Sequence, residues 1–217
     1  MMTRVRVLVF AAIGLMILAG CESEHRTTES KGNSPALVLI DLQRSFLASE
    51  GARPVAQNEV DPLVKGVNAM IDAAGKNVAP VIYLKDEFSR FQFVGNMARE
   101  DAALRYEPGS VFDPRIDDTA GVYFTKQCAD GFSNPYFESH LKAINAGRIV
   151  IAGVYADSSV LETAKSAIAR GYGVTIISDA VAAQSDAARD VALKQLKDAG
   201  AQIQTSQEFI ASLGAGA

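Results

Sequence analysis

Arg148-Ile149-Val150-Ile151-Ala152-Gly153-Val154, followed by Tyr155-Ala156-Asp157-Ser158-Ser159-Val160, is the stretch that decides how this chain folds. After Arg148, the six residues Ile149 to Val154 form an apolar run of strand length, as expected for a strand buried on both faces. Ser158 to Ala169 then reads as a helix stopped by Gly171. A strand that passes through a short turn into a helix is part of a βαβ unit, and the same succession recurs in both directions. Towards the C-terminus come a strand over Val174 to Ser178, a helix over Asp186 to Ala199 stopped by Gly200, and a short strand over Ala201 to Gln204. Towards the N-terminus come a helix over Pro135 to Ala146, a strand over Val122 to Thr125 ending at Lys126, and a strand over Val78 to Leu84. A helix over Val60 to Ala74 and a strand over Ala36 to Ile40, ending in Asp41, complete the pattern. Phe88 to Leu104 reads as helical in part. Tyr106 to Ala120, with Pro108-Gly109, Asp113-Pro114 and Asp117-Asp118, reads as a loop.

Strands alternating with helices predict an α/β fold, Rossmann-like, with three α/β/α layers around a mostly parallel sheet. Ligands in such folds bind beyond the carboxyl ends of the strands. That rule singles out Asp41, the stretch from Lys85, Lys126, Tyr155 to Ser159, and Asp179.

The first 35 residues have a different character. Arg4 and Arg6 precede an almost wholly apolar run, Val7 to Leu18, which ends in Ala19-Gly20-Cys21. A charged start, a short apolar stretch and a small-residue exit are the parts of a secretory signal, and the run is short for a bilayer span of roughly 20 residues. Leu18-Ala19-Gly20-Cys21 also resembles the lipobox of bacterial lipoproteins. The expected organisation is a signal peptide over 1–20, a flexible polar tether over 21–35 and a single domain over 36–217. On this reading Cys21 is lipidated and the domain is held at the cell envelope by its lipid. His25 falls in the tether, and Cys128, left without a partner, is expected to be a free thiol.

Of 217 residues, 48% are hydrophobic, enough for a full core, and the net charge of −4 comes without a basic stripe. Nucleic acid is excluded as a partner, because phosphate contacts need clustered Lys and Arg.

Asp41 and Lys126, at the ends of two strands, can pair; the ammonium would keep the carboxylate ionised while burial would push its pKa up. Four segments, in order, carry a more specific pattern. Leu37-Val38-Leu39-Ile40-Asp41-Leu42-Gln43-Arg44-Ser45-Phe46 comes first, then Lys126-Gln127-Cys128-Ala129-Asp130-Gly131-Phe132. The strand and turn quoted at the outset come third, followed by Thr163-Ala164. Arg170-Gly171-Tyr172-Gly173-Val174 with Asp179-Ala180 closes the series. Over about residues 36–183 the chain resembles the isochorismatase-like superfamily, whose cysteine hydrolases use an Asp–Lys–Cys triad. The resemblance implies a small-molecule hydrolase with Asp41 as general acid or base and Lys126 tuning it. It also implies a cis Val154–Tyr155 peptide that shapes an oxyanion turn, a homo-oligomer, and Phe46, Phe132, Val154 and Tyr155 around the pocket.

Ser159 stands where the cysteine hydrolases have their nucleophile. An alcohol there needs a positioned base. Four readings stay open: a helix-capping residue beside Asp157 and Ser158, a serine nucleophile, a chemistry that needs no nucleophile, and a serine replacing a natural cysteine. Gly153-Val154-Tyr155-Ala156 is closer to the isochorismatases proper than to the Gly-x-x-Thr of the cysteine hydrolases, although the Arg-Gly-Leu-Leu stretch of the former is missing. Lys85-Asp86-Glu87-Phe88-Ser89-Arg90-Phe91 lacks the histidines of a nicotinamidase metal site, so no metal and no cofactor are expected. His140 is expected on a helix surface. The rival to a hydrolase is a catalytically silent small-molecule-binding lipoprotein.

Overall fold

The computed structural model describes residues 34–214. The expected signal peptide, Cys21 and most of the tether lie outside these residues. Six strands form one sheet: β1 (Ser34–Ile40), β2 (Val81–Asp86), β3 (Val122–Lys126), β4 (Ala146–Val154), β5 (Gly173–Ala182) and β6 (Gln202–Gln204). Their order is β3-β2-β1-β4-β5-β6 and every pairing is parallel. The order reverses between β1 and β4, which is the switch point of a doubly wound sheet.

A sheet covered on both sides needs strands that are apolar on both faces, and β1 shows how the sequence supplies this. Leu37 and Leu39 point into one core, while Ala36, Val38 and Ile40 point into the other. The first core is closed by α2 (Gln57–Lys76), through Leu63, Val67, Met70 and Ala74, and by Phe209 of α7 (Ser206–Gly214). The second is closed by α4 (Pro135–Ala143), α5 (Leu161–Ala169) and α6 (Asp186–Asp198), through residues such as Phe137, Leu141, Ala164 and Leu196. Two short helices, α1 (Arg44–Leu47) and α3 (Phe93–Ala98), lie in the long connections near the carboxyl end of the sheet.

The predicted elements are present with shifted ends. β1 begins two residues early, because Ser34 and Pro35 already pair with Ala146 and Arg148. β2 begins at Val81, since Val78 adopts φ +53 and is exposed. α4 stops at Ala143 and Asn145, at φ +52, turns the chain into β4. α2 runs past Ala74 to Lys76, so Gly75 lies inside it. Between β4 and α5 the chain makes one wide π-type turn, Ala156–Val160.

Candidate active site

Four neighbouring strands, β3, β2, β1 and β4, bring one side chain each to their carboxyl ends: Lys126, Asp86, Asp41 and Ser159. Lys126 Nζ donates to Asp41 Oδ2 at 2.7 Å, Asp86 Oδ1 at 2.6 Å and Ser159 Oγ at 3.1 Å. These three bonds use all three N–H groups of the ammonium. Lys126 is therefore a fixed donor and has no capacity to accept the Ser159 proton. The side chains of Lys126 and Asp41 are 0% and 1% exposed, against 14% for Asp86, so the cluster opens to solvent through Asp86.

Backbone groups hold the carboxylates in place. Asp41 sits at φ +54, in the left-handed region that Asp tolerates better than most residues. Its N–H donates to the Leu84 carbonyl at 2.8 Å, and its Oδ1 accepts from the Asp86 N–H at 2.9 Å. Gln43 reinforces the same strand end. Its Oε1 accepts from the Asp86 N–H at 2.9 Å, and its Nε2 donates to the carbonyls of Asp86 and Ser110, both at 2.8 Å.

Burial pushes the Asp41 carboxyl up to about 7, and the Asp86 charge adds to the rise; Lys126 pulls the other way. Burial also works against the Lys126 ammonium, but the two carboxylates outweigh it and raise its pKa. One ammonium serves two carboxylates, so the second negative charge in the cluster is uncompensated, and Asp41 is divided between its protonated and ionised forms near neutral pH.

Ser159 lies in the π-type turn after β4. Gly153, at φ +124, lets that turn form: a Cβ there would fall 2.0 Å from the Ile40 carbonyl oxygen on the adjacent strand. The Val154–Tyr155 peptide that follows is cis. Ser159 is not a helix cap. The cap positions of the turn and of α5 are Tyr155 and Val160, neither with a side-chain cap bond, and the Ser159 hydroxyl is bonded to Lys126.

Above the cluster lies a cavity of about 270 Å³, with Asp86, Ser158 and Ser159 at one end. Phe46, Phe88 and Tyr155 form aromatic walls, and Arg53 and Arg99 also line it. Phe46 and Tyr155 meet edge to face with centroids 5.5 Å apart, and the Tyr155 hydroxyl donates to the Arg53 carbonyl.

The other expected pocket residues lie elsewhere. Phe132 is buried in the second core against Phe137 and Tyr172, with the Arg170 guanidinium over its ring, and does not line the cavity. Val154 is fully buried in the first core and does not line the cavity. Cys128 lines the cavity but is disulfide-bonded, which corrects the expectation of a free thiol. His140 packs against Phe124 at 5.6 Å, outside the site. Among the described residues no group of three or more His, Cys, Asp or Glu side chains is placed to hold a metal. In the site itself the Lys126 ammonium fills the position between the two carboxylates that a cation would take.

Asp86 is the member of the cluster that sequence reasoning did not single out. Its signal was positional: it ends a strand, within the stretch the strand-end rule marked.

The sheet and its strand-end cluster define a doubly wound α/β protein with a buried acid–lysine pair beneath a small cavity. The chain belongs to the isochorismatase family: the family model described as "Isochorismatase domain" matches residues 35–208. It is similar to the uncharacterized isochorismatase family protein YaaI of Bacillus subtilis, with 25% identity over 81% of this chain and 96% of that protein. In three dimensions it resembles a cysteine hydrolase from Pseudomonas syringae pv. phaseolicola (TM-score 0.75, 19% identity, 84% of this chain and 93% of the other). It also resembles the nicotinamidase PncA of Bacillus subtilis (TM-score 0.72, 22% identity, 78% and 98%). At these identities the structural likenesses establish the fold alone.

Proposed function

We propose that the protein is a hydrolase of a small molecule in which Asp41 carries protons to and from the reacting atoms. The observation that supports this best is the cluster itself: a buried carboxyl raised to about 7, held by Lys126 and adjoining a cavity through Asp86 and Ser159. A catalytic acid–base group works best with a pKa near the operating pH, where both of its forms are populated. Lys126 is a positioning residue, because its three donors are committed. If Ser159 Oγ attacks a carbonyl carbon, the base that takes its proton is Asp41. The same carboxyl then protonates the leaving group, and water repeats the exchange to free the acyl product. If instead Asp41 protonates the substrate directly, water adds to the resulting cation and returns a proton to the Asp41 carboxylate, the adduct then breaks its bond to the leaving group, and no covalent intermediate forms.

Ser159 distinguishes the two routes. Wild type, Ser159→Ala and Ser159→Cys are assayed on a panel of small amides, esters and vinyl ethers. Loss of about 10²-fold or more in Ser159→Ala, with retention in Ser159→Cys, identifies a nucleophile. A Ser159→Ala rate within a few-fold of wild type identifies direct acid–base catalysis. No turnover of any class by any of the three proteins contradicts the hydrolase reading in favour of a silent binding protein, the reading that an alcohol without a histidine base favours.

We further propose that the domain is tethered to the cell envelope by a lipid on Cys21 and works as a homo-oligomer. The supporting features are the Leu18-Ala19-Gly20-Cys21 exit of the apolar run and the family to which the domain belongs.

A further inference from the structure

α3 is built inside out. A surface helix turns its apolar side chains to the core and its polar ones to water. In α3 the one buried residue is Asn96, whose Nδ2 donates to the Ser89 carbonyl at 2.8 Å. The large apolar residues, Phe93, Val94 and Met97, are left outside, together with Phe91 just before them. All four are between 66% and 84% exposed. A contiguous apolar patch of this kind marks a contact with a membrane or with a partner.

Charge, area and reach narrow the occupant. From Phe88 to Glu107 three arginines balance three carboxylates, so the segment favours neither an acidic nor a basic partner. At about 150–250 Å² per aromatic side chain, two Phe, a Val and a Met expose roughly 500 Å². That is below the roughly 800 Å² per partner of a stable dimer. A bilayer needs no matching surface, because apolar side chains enter the headgroup boundary one by one. The sequence also keeps a bilayer within reach. Fully extended, the thirteen steps from Cys21 to Ser34 span about 43–47 Å. β1, seven residues long, covers only roughly 23 Å of this, so the carboxyl end of the sheet can touch the surface that holds the lipid. A contact held that close needs little affinity of its own. The inner side of the same segment belongs to the cavity: Phe88, Arg99 and Ala102 line it, and Gln92 Nε2 donates to Oε1 of Gln127, beside Lys126, at 2.8 Å.

We propose that Phe91, Phe93, Val94 and Met97 rest in the surface of a lipid bilayer, as a second membrane contact beside the lipid on Cys21. This rests on the lipid anchor proposed above and goes beyond it, because it gives the tethered domain an orientation. The mouth of the cavity then lies at the interface, where a molecule that partitions into the headgroup region meets Asp86 and Ser159.

The chain contains no tryptophan, so one introduced indole reports its own surroundings. Phe93→Trp places it in the patch. Val78→Trp places it at an exposed position just before β2, at the opposite end of the sheet. Each full chain is processed and acylated in a bacterial host and reconstituted into phosphatidylcholine vesicles, with and without brominated acyl chains. Flotation with the vesicles reads the anchor, and quenching by bromine reads the patch. Phe93→Trp is expected to emit at shorter wavelength and to lose about half its emission to brominated chains, as for a side chain at the headgroup boundary. Val78→Trp should be unaffected. Adding phosphatidylglycerol or salt should change neither result, because the segment is neutral. Phe91→Asp with Met97→Asp, both at exposed positions, should abolish quenching of Phe93→Trp and leave flotation and the melting temperature unchanged. Flotation without quenching at Phe93→Trp overturns the docking and leaves the anchor. Failure to float overturns the anchor and the docking with it. A blue-shifted Phe93→Trp that bromine does not quench is buried against protein, a second copy, and overturns the bilayer. Equal quenching at both positions, or quenching that needs phosphatidylglycerol and disappears in salt, overturns the apolar patch as its cause.

Discussion

Lys126 holds two carboxylates and a hydroxyl with one ammonium, and its removal isolates what that arrangement contributes. Lys126→Met keeps most of the side-chain volume and leaves Asp41 and Asp86 side by side without a cation. Breaking a buried ion pair by deleting one partner costs about 3–5 kcal/mol, so chemical denaturation should show a loss of that order. A loss below about 1 kcal/mol would mean that the carboxylates reprotonate or rehydrate freely and that the cluster is not rigid. Asp41 and Lys126 were legible in the sequence because each ends an apolar strand, and the strand-end rule finds such residues one at a time. Asp86 also ends a strand, but its role depends on β2 lying between β3 and β1, which no local pattern encodes. Arg53 and Arg99 come from a loop and the end of α3, and only tertiary folding brings them to one cavity. Phe132 misled for the opposite reason: an aromatic at a motif position is equally suited to a core, and here the second core takes it.

At the scale of elements, the passage from β4 into the turn that carries Ser159 depends on Gly153. Gly153→Ala adds a Cβ 2.0 Å from the Ile40 carbonyl oxygen at a φ that L-residues rarely adopt. The expected loss is roughly 2–4 kcal/mol, with activity reduced further because Ile40 leads directly into Asp41. Gly200 supplies the control. Its φ is +103, but no atom lies within 4 Å of an added Cβ, so Gly200→Ala should cost only the conformational part, about 1 kcal/mol. Equal losses at the two sites would remove the steric argument for β4. Long, apolar elements such as β1, α2 and β4 were readable because their periodicity is strong. Their ends were not, because Val78 and Asn145 adopt left-handed conformations that periodicity does not report. α7 was missed; its buried face is small, with Ser206 and Phe209 as its buried residues.

For the molecule as a whole, a six-stranded parallel sheet with its order reversing between β1 and β4 puts the site astride the switch point, where the strand-end rule places it. The N-terminal lipid anchor is a separate proposal and has its own test. Mass spectrometry of the mature protein should find a chain that begins at an acylated Cys21; an unmodified chain beginning elsewhere would contradict it. A sulfur that carries a thioether-linked lipid is closed to disulfide formation. Cys128 is disulfide-bonded in the structure, so a chain acylated at Cys21 should show Cys128 either as a free thiol or joined to another molecule, and the same spectrum reads this. The central claim is that Asp41 carries the proton, and its most direct test is kcat/KM of wild type and Asp41→Asn on one hydrolysed substrate across pH. Burial and the Asp86 charge raise the Asp41 carboxyl to about 7, so the wild-type profile should inflect there. The rate should rise through the inflection if the carboxylate acts as base, and fall if the carboxylic acid acts as acid. Asp41→Asn should lower kcat/KM by about 10²-fold or more and abolish the inflection. A variant within a few-fold of wild type, with the inflection intact, would contradict the account.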